Sequence, residues 1–93
     1  MASETALFNQ IADDLVLLYH QPFGGKAKGR YRIALKLMRK LARRKRLYAD
    51  DIQQISRAMV ERGYILIDME SFFIVMSANS FVNYRRVNEE KIS

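Results

Sequence analysis

The residues of this chain that are best suited to chemistry form a long series of cations. The stretch between Leu15 and Asp50 contains no acidic residue. It holds Lys26, Lys28, Arg30, Arg32, Lys36, Arg39, Lys40, Arg43, Arg44, Lys45 and Arg46. Because like charges held this close repel one another, such a segment is typical of a surface that binds an anionic partner. The stretch therefore predicts phosphate binding, with nucleic acid as the leading candidate.

No set of side chains in the sequence predicts catalysis or a metal site. His20 is the only histidine, and no cysteine or carboxylate stands at ligand spacing from it. The acidic pairs are adjacent in sequence, so on helices their side chains diverge by about 100° and do not share one substrate. These pairs are Asp13 with Asp14, Asp50 with Asp51 and Glu89 with Glu90. We therefore expect no enzyme activity, no catalytic residue, no metal ion and no cofactor.

The composition is typical of one small folded domain. The chain has 93 residues, of which 49% are hydrophobic, and a formal net charge of +6. This hydrophobic content is too high for a disordered polycation. The sequence has no cysteine, so packing must supply the stability. The longest apolar run, Leu15 to Tyr19, is too short to cross a bilayer, and Met1 to Glu4 lack the pattern of a leader. We expect a soluble, unexported protein in the cytoplasm or on the nucleoid.

The first predicted helix covers residues 3–20. Its apolar residues recur at helical spacing at Leu7, Ile11, Leu15 and Leu18, and Ser3 is a candidate N-cap. The last turns are apolar on every side, which is more than one small core can bury. This excess predicts a homodimer whose interface contains Leu15, Val16, Leu18 and Tyr19.

A second helix is predicted over residues 30–46, after a flexible basic linker over residues 21–29 that contains Pro22 and three glycines. The inner stripe of this helix is predicted at Ala34, Leu37, Met38 and Leu41. The basic residues then fall mainly on the other side, so they form a face rather than a scatter.

The third helix is predicted over residues 50–62, with Asp50 as N-cap, Gln53 at N3 and Gly63 as the C-terminal stop. Its inward residues are Ile52, Ile55 and Met59. Gln54, Arg57 and Glu61 are predicted to point the opposite way, with Gln53 at the margin. A β-hairpin is predicted over residues 64–77, with a turn at 68–71, because both halves are rich in β-branched and aromatic residues. We expect a fourth helix over residues 81–91, with a third strand as the alternative.

Three helices closed by a hairpin resemble a winged helix-turn-helix domain. The segment Val60-Glu61-Arg62-Gly63-Tyr64-Ile65 carries the resemblance, because third helices of that family commonly end in an apolar residue, a charged pair, Gly and a large apolar residue. The likeness covers residues 7–77. It implies an α+β fold in which the third helix enters the DNA major groove. The positions that match the family's base contacts are Gln53, Gln54 and Arg57, and Arg62 lies where a phosphate contact is expected. The hairpin turn departs from the family's pattern, since it carries Asp68 and Glu70 and no cation.

The leading functional hypothesis is a small homodimeric transcriptional regulator that binds double-stranded DNA. The predicted phosphate contacts are Lys26, Lys28, Arg30, Arg32, Lys36, Arg39, Lys40, Arg43, Arg44 and Arg62. A first alternative is a winged-helix interaction module that docks on an acidic protein. A second is that the basic helix lies on an anionic membrane or on RNA.

Overall fold

Three α-helices and three β-strands are present in a computed structural model that describes residues 4–92. The elements are α1 (Glu4–Tyr19), β1 (Tyr31–Ala34), α2 (Leu35–Ala42), α3 (Ala49–Glu61), β2 (Tyr64–Asp68) and β3 (Phe72–Ser77). Short 3-10 helices follow at Ala78–Phe81 and Glu89–Lys91. The predicted α+β class is confirmed, and the candidate cap Ser3 lies outside the described residues.

The three strands form one antiparallel sheet in the order β1-β3-β2. The hairpin predicted at 64–77 is present, since β2 pairs with β3 from Tyr64 opposite Ser77 to Asp68 opposite Phe73. On the other side of β3, Tyr31 pairs with Val75 and Ala34 pairs with Phe72. Three helices with a three-stranded sheet of this order are compatible with a winged-helix-like arrangement.

The hydrophobic core lies between the sheet and the helices. Strand side chains alternate between two faces, and the inward ones are fully or nearly buried against α1 and α3. The core contains Phe8, Ile11, Ala12 and Leu15 of α1, Met38 and Ala42 of α2, Ile55, Ala58 and Met59 of α3, and Ile33, Leu66, Phe73 and Val75 of the sheet. The packing of α1 against α3 and of α3 against β2 fixes which side of α3 remains exposed.

The predicted second helix is wrong at both ends. The segment Tyr31–Ala34 is a strand, and the helix covers only Leu35–Ala42. Tyr31 and Ile33 face inward while Arg32 and Ala34 are exposed, which is the period of a strand. The buried side of this shorter helix contains Met38 and Ala42. Leu37, which was predicted to face inward, is exposed. The helix ends where Arg43 adopts a left-handed conformation with φ of 57°.

Two other segments also differ from expectation. The predicted flexible linker contains a hydrogen-bonded turn, because Phe23 and Lys26 exchange two backbone hydrogen bonds of 3.0 and 3.1 Å. The predicted fourth helix over 81–91 is wrong: this segment contains the end of one 3-10 helix, the second 3-10 helix and no strand. Its apolar residues Val82, Tyr84 and Val87 are exposed, so no packed stripe supports an α-helix there.

Removal of the Tyr31 hydroxyl is expected to destabilise the fold and to change its response to alkali. The hydroxyl donates to the carbonyl oxygen of Leu15 at 2.6 Å, and burial raises the pKa of Tyr31 above its ordinary value of 10.0. Tyr31→Phe should cost about 0.5–1.5 kcal/mol at neutral pH, because the carbonyl loses its donor.

The pH dependence follows from the direction of that pKa shift. A raised pKa in the folded state contributes stability that is complete below the unfolded value of 10.0 and is lost as pH rises above it. Urea unfolding at neutral pH and at a pH of about 11 should therefore show a smaller alkaline loss for Tyr31→Phe than for the parent protein. An equal loss in both proteins would contradict this role.

Candidate nucleic-acid interface

The exposed side of α3 carries Asp50, Gln53, Arg57 and Val60. Gln53 and Arg57 are one helical turn apart, about 6 Å along the axis, so their side chains lie above one another. Gln54 is half-buried at the margin, where its Nε2 donates to Oδ2 of Asp50 at 3.4 Å. Of the three predicted base-contact residues, Gln53 and Arg57 are therefore open to a partner, and Gln54 is partly turned toward α1.

A shallow groove of about 370 Å³ runs between α3 and the first turns of α1. Gln53, Gln54 and Arg57 form one wall of this groove, and Thr5 and Asn9 of α1 contribute polar groups to the other. The predicted base-contact residues thus lie together along one groove. Asp50 near the start of α3 and Glu61 at its end also line this groove.

The segment that joins α2 to α3 forms a basic turn made of Arg43, Arg44, Lys45 and Arg46. Arg43, Lys45 and Arg46 are exposed, and among residues 4–92 none of the three forms an ion pair. The turn leads directly into α3, so its exposed cations lie beside the N-terminal end of that helix. Such a position suits contacts with phosphates that flank a recognition helix.

Arg44 holds this turn in place instead of projecting from it. Its Nη1 lies 3.2 Å from Oδ1 of Asp51, and its Nη2 lies 3.4 Å from Oε1 of Glu4. The guanidinium carbon is 5.4 Å from the centre of the Phe8 ring. Arg44 therefore connects the basic turn with the N-terminal ends of α1 and α3, and it is less available as a phosphate contact than predicted.

Asp51 takes part in the capping box at the start of α3, where Asp50 and Gln53 were the predicted capping residues. The helix starts one residue earlier than predicted, with Tyr48 as N-cap, and Oδ2 of Asp51 accepts from the Tyr48 backbone N–H at 3.0 Å. Asp51 thus performs at N3 the role that was predicted for Gln53. The acidic pair at 50–51 was a usable signal, because a carboxylate at N3 is typical of a capping box.

Substitution of Asp51 should destabilise the fold much more than substitution of its neighbour. Asp51 is only 8% exposed, so Asp51→Ala leaves the Tyr48 N–H without its acceptor and the half-buried Arg44 with Glu4 as its remaining ion-pair partner. We expect a loss of about 1–3 kcal/mol in the free energy of unfolding, measured by urea denaturation. The control Asp50→Ala removes the same charge from the same helix end, but from an exposed site, and should cost less than about 1 kcal/mol. Equal losses in the two variants would show that the Asp51 contacts add nothing.

The second predicted phosphate contact with an internal partner is Arg62. Its Nε donates to Oδ1 of Asp13 at 2.7 Å, and its Nη1 donates to the carbonyl oxygen of Ala58 at 2.8 Å. These bonds tie the C-terminal end of α3 to α1. They leave Arg62 at the opposite end of α3 from the basic turn.

The cations of α2 lie on the other side of α1 from the α3 groove. Lys40 and Arg43 border a depression with Gln10 and Asp14 of α1, whereas Thr5 and Asn9 of α1 face α3. Lys36 and Lys40 are exposed, while Arg39 is half-buried with an Nε that has no hydrogen-bond partner in residues 4–92. Arg32 on β1 stacks over Phe72, with its guanidinium carbon 5.5 Å from the ring centre.

The remaining predicted phosphate contacts, Lys26, Lys28 and Arg30, lie at the far end of α1. The backbone N–H of Gly29 donates to the carbonyl oxygen of Tyr19 at 2.9 Å, whereas Arg44 contacts Glu4 at the other end of the helix. A helix of 16 residues is about 24 Å long. The cationic stretch is therefore not one continuous surface but is divided between the two ends of α1.

The predicted dimer residues on α1 are mostly used within one subunit. Leu15 is fully buried in the core, and Val16 and Tyr19 pack against that core. Leu15 is therefore unavailable to a second subunit, which corrects the prediction for this residue. Leu18 is half-buried, and Leu17, which the interface prediction omitted, is 57% exposed.

Comparison with known proteins adds no family to these observations. Neither protein-family models, nor curated proteins, nor solved structures gave a match to this chain. Within residues 4–92, no helix combines the length and the apolar character that a bilayer crossing requires.

Proposed function

We propose that this chain is a winged-helix protein that binds double-stranded DNA through the exposed side of α3 and the exposed cations of the basic turn. The observation that carries the proposal is that Gln53 and Arg57 stand exposed on the helix that follows the exposed cations Lys45 and Arg46, which form no ion pair within residues 4–92. Side chains suited to base edges and side chains suited to phosphates thus follow one another along this part of the chain. That combination separates a DNA-reading surface from a merely basic one.

The side chains of α3 have the chemistry that reading of base edges requires. Glutamine bonds adenine through N6 and N7, and arginine donates two hydrogen bonds to guanine at O6 and N7. Asp50 and Val60 occupy the same side, so Gln53 and Arg57 are the side chains assigned to base contacts. Lys45 and Arg46 are assigned to the flanking phosphates, whereas Arg43 borders the depression on the α2 side of α1.

The hairpin turn has a different part in this proposal. It carries Asp68 and Glu70, and Oδ1 of Asp68 accepts from the Glu70 backbone N–H at 2.8 Å. The carbonyl oxygen of Ser71 accepts from the Leu35 N–H at 3.0 Å, which docks the turn against the start of α2. An acidic turn repels phosphate, so we assign it to support of α2 rather than to DNA contact.

Selection of bound sites from a random duplex library at moderate salt tests this proposal. Enrichment of a common sequence supports base reading, and two inverted copies at a fixed spacing would support a homodimeric regulator. Retention of duplexes with no enriched common sequence would mean that the protein binds DNA phosphates without base-specific contacts. No retention of any duplex at low salt would overturn DNA binding.

A homodimer is part of the same proposal, and the exposed side chain of Leu17 on α1 supports it. Sedimentation equilibrium at micromolar concentration should show a dimer. A monomer across that range would remove the dimeric regulator from the proposal and leave DNA binding to a single subunit.

A docking module for an acidic protein is the second candidate. Val60 favours it, because this apolar residue is 56% exposed on the same side of α3 as Arg57. Apolar and arginine side chains together are typical of protein interfaces. A stable protein partner in a pull-down, with no shift of duplex DNA in a low-salt gel, would select this function over the first.

A further inference from the structure

The cations of the loop before β1 lie at the opposite end of α1 from the basic turn. Lys26, Lys28 and Arg30 form a basic loop beside the C-terminal end of α1, since Gly29 bonds Tyr19. The basic turn contacts Glu4 at the opposite end, and α1 is about 24 Å long. The loop also leads into β1, while α3 packs on β2, and these are the two outer strands of the sheet. The loop is therefore separated from the basic turn by about the length of α1. The C-terminal end of α3 lies nearer to the loop, since Tyr64 contacts Tyr19 and His20.

The basic loop has a defined shape. Phe23 and Lys26 exchange two backbone hydrogen bonds around Gly24 and Gly25. Both glycines have positive φ, 58° and 83°, which is the requirement of a two-residue turn of this kind. The Phe23 ring meets the Tyr31 ring edge to face at 5.4 Å and so attaches the turn to β1. A loop that is already ordered loses less entropy when it binds.

This loop encloses a cleft of about 290 Å³ with a cationic lining. Lys26, Lys28, Arg30 and Arg32 line it together with Gln21, and no acidic side chain borders it. Within residues 4–92, none of Lys26, Lys28 and Arg30 has an ion-pair partner. The cleft therefore presents positive charge with no internal anion to balance it, which is the chemistry that binds phosphate groups.

We propose that the basic loop is a second phosphate-binding site, which holds the backbone of the bound duplex at a segment beside the one that α3 reads. This inference rests on the proposed function. The separation from the basic turn, about 24 Å along α1, corresponds to several base pairs, since the duplex rises about 3.4 Å per pair. The loop contributes affinity and a longer footprint but no sequence preference, because it contacts phosphates alone.

Hydroxyl-radical footprinting on a duplex that carries the selected site tests the second contact. The parent protein should protect a central block and a separate flanking stretch of backbone. The variant Lys26→Gln/Lys28→Gln/Arg30→Gln should keep the central protection and lose the flanking one. Its binding should also depend less on salt, with the slope of log K against log salt less steep by about 2–3.

A matched control removes the same charge elsewhere. Arg85→Gln/Arg86→Gln/Lys91→Gln takes three exposed cations from the C-terminal segment and should leave the flanking protection unchanged. Identical footprints for the loop variant and the parent would overturn the second site while leaving the proposed function intact. Absence of any footprint with the parent protein would instead be a failure of the proposed function.

Discussion

Leu15→Ala is expected to lower the free energy of unfolding by about 2–5 kcal/mol, because removal of a fully buried leucine side chain leaves a cavity that the core only partly refills. Leu15 is surrounded by the core that α1 shares with α3 and the sheet. A loss of this size is a large part of the 5–15 kcal/mol typical of a small domain, so the midpoint of thermal unfolding should fall as well. Urea denaturation followed by circular dichroism measures the change.

The control for this prediction is Leu17→Ala on the same helix. Leu17 is 57% exposed, so its replacement should change the stability of a monomer by less than about 0.5 kcal/mol. In a dimer that uses this surface, Leu17→Ala should instead weaken association while leaving each subunit folded. A small effect of Leu15→Ala would contradict the buried position of that residue and restore it as a dimer contact.

Arg57→Ala is expected to weaken binding to a selected DNA site by about 5- to 150-fold, since one bidentate arginine–guanine pair gives about 1–3 kcal/mol of discrimination. The loss on random duplexes should be much smaller, because the lost hydrogen bonds go to base edges. Arg57 is exposed and forms no ion pair among the described residues, so the substitution leaves the fold unchanged. Fluorescence anisotropy with a selected and a scrambled duplex at the same salt concentration measures both affinities.

Lys45→Ala is the matched comparison, since it removes one exposed cation from the basic turn. A phosphate contact there predicts an equal loss on both duplexes and a salt slope less steep by about 1. If Arg57→Ala and Lys45→Ala had the same effect on both duplexes, α3 would contact phosphates only, and sequence reading through Arg57 would be excluded.

The sequence predicted the third helix and the hairpin well because local signals were consistent there. Ile55 and Met59 stand four residues apart and are both buried, and the predicted stop at Gly63 is confirmed by its φ of 83°. The hairpin was evident from two β-branched and aromatic runs separated by a short polar turn. In both segments the periodicity, the turn chemistry and the final packing point to the same structure.

Strand β1 was missed because its formation depends on a partner that is distant in sequence. Tyr31–Ala34 is only four residues long and pairs with β3, about forty residues later. The helical stripe of Met38 and Leu41 continued backward through Ala34 and concealed the change of period. The pairing between Arg32 and Ile74 was not visible in the local pattern.

The candidate site was predictable in its residue types but not in its arrangement. Exposure of Arg57 followed from the helical period. The same period predicted Gln54 outward and Gln53 at the margin, and the structure reverses these two, because the groove with α1 partly covers Gln54. The inward positions of Arg44 and Arg62 did not, because they depend on carboxylates of α1 and α3 that the fold brings within 2.7–3.4 Å. The division of the cations between the two ends of α1 likewise depends on how the turn before β1 folds back on Tyr19.

Amide chemical-shift mapping of the labelled protein during titration with a short duplex that carries a selected site tests the central claim most directly. We expect the largest changes on the basic turn at 43–46 and on the exposed residues of α3, foremost Gln53 and Arg57. Largest changes confined to the hairpin turn or to the segment after Ser77, or no change at all at low salt, would contradict it.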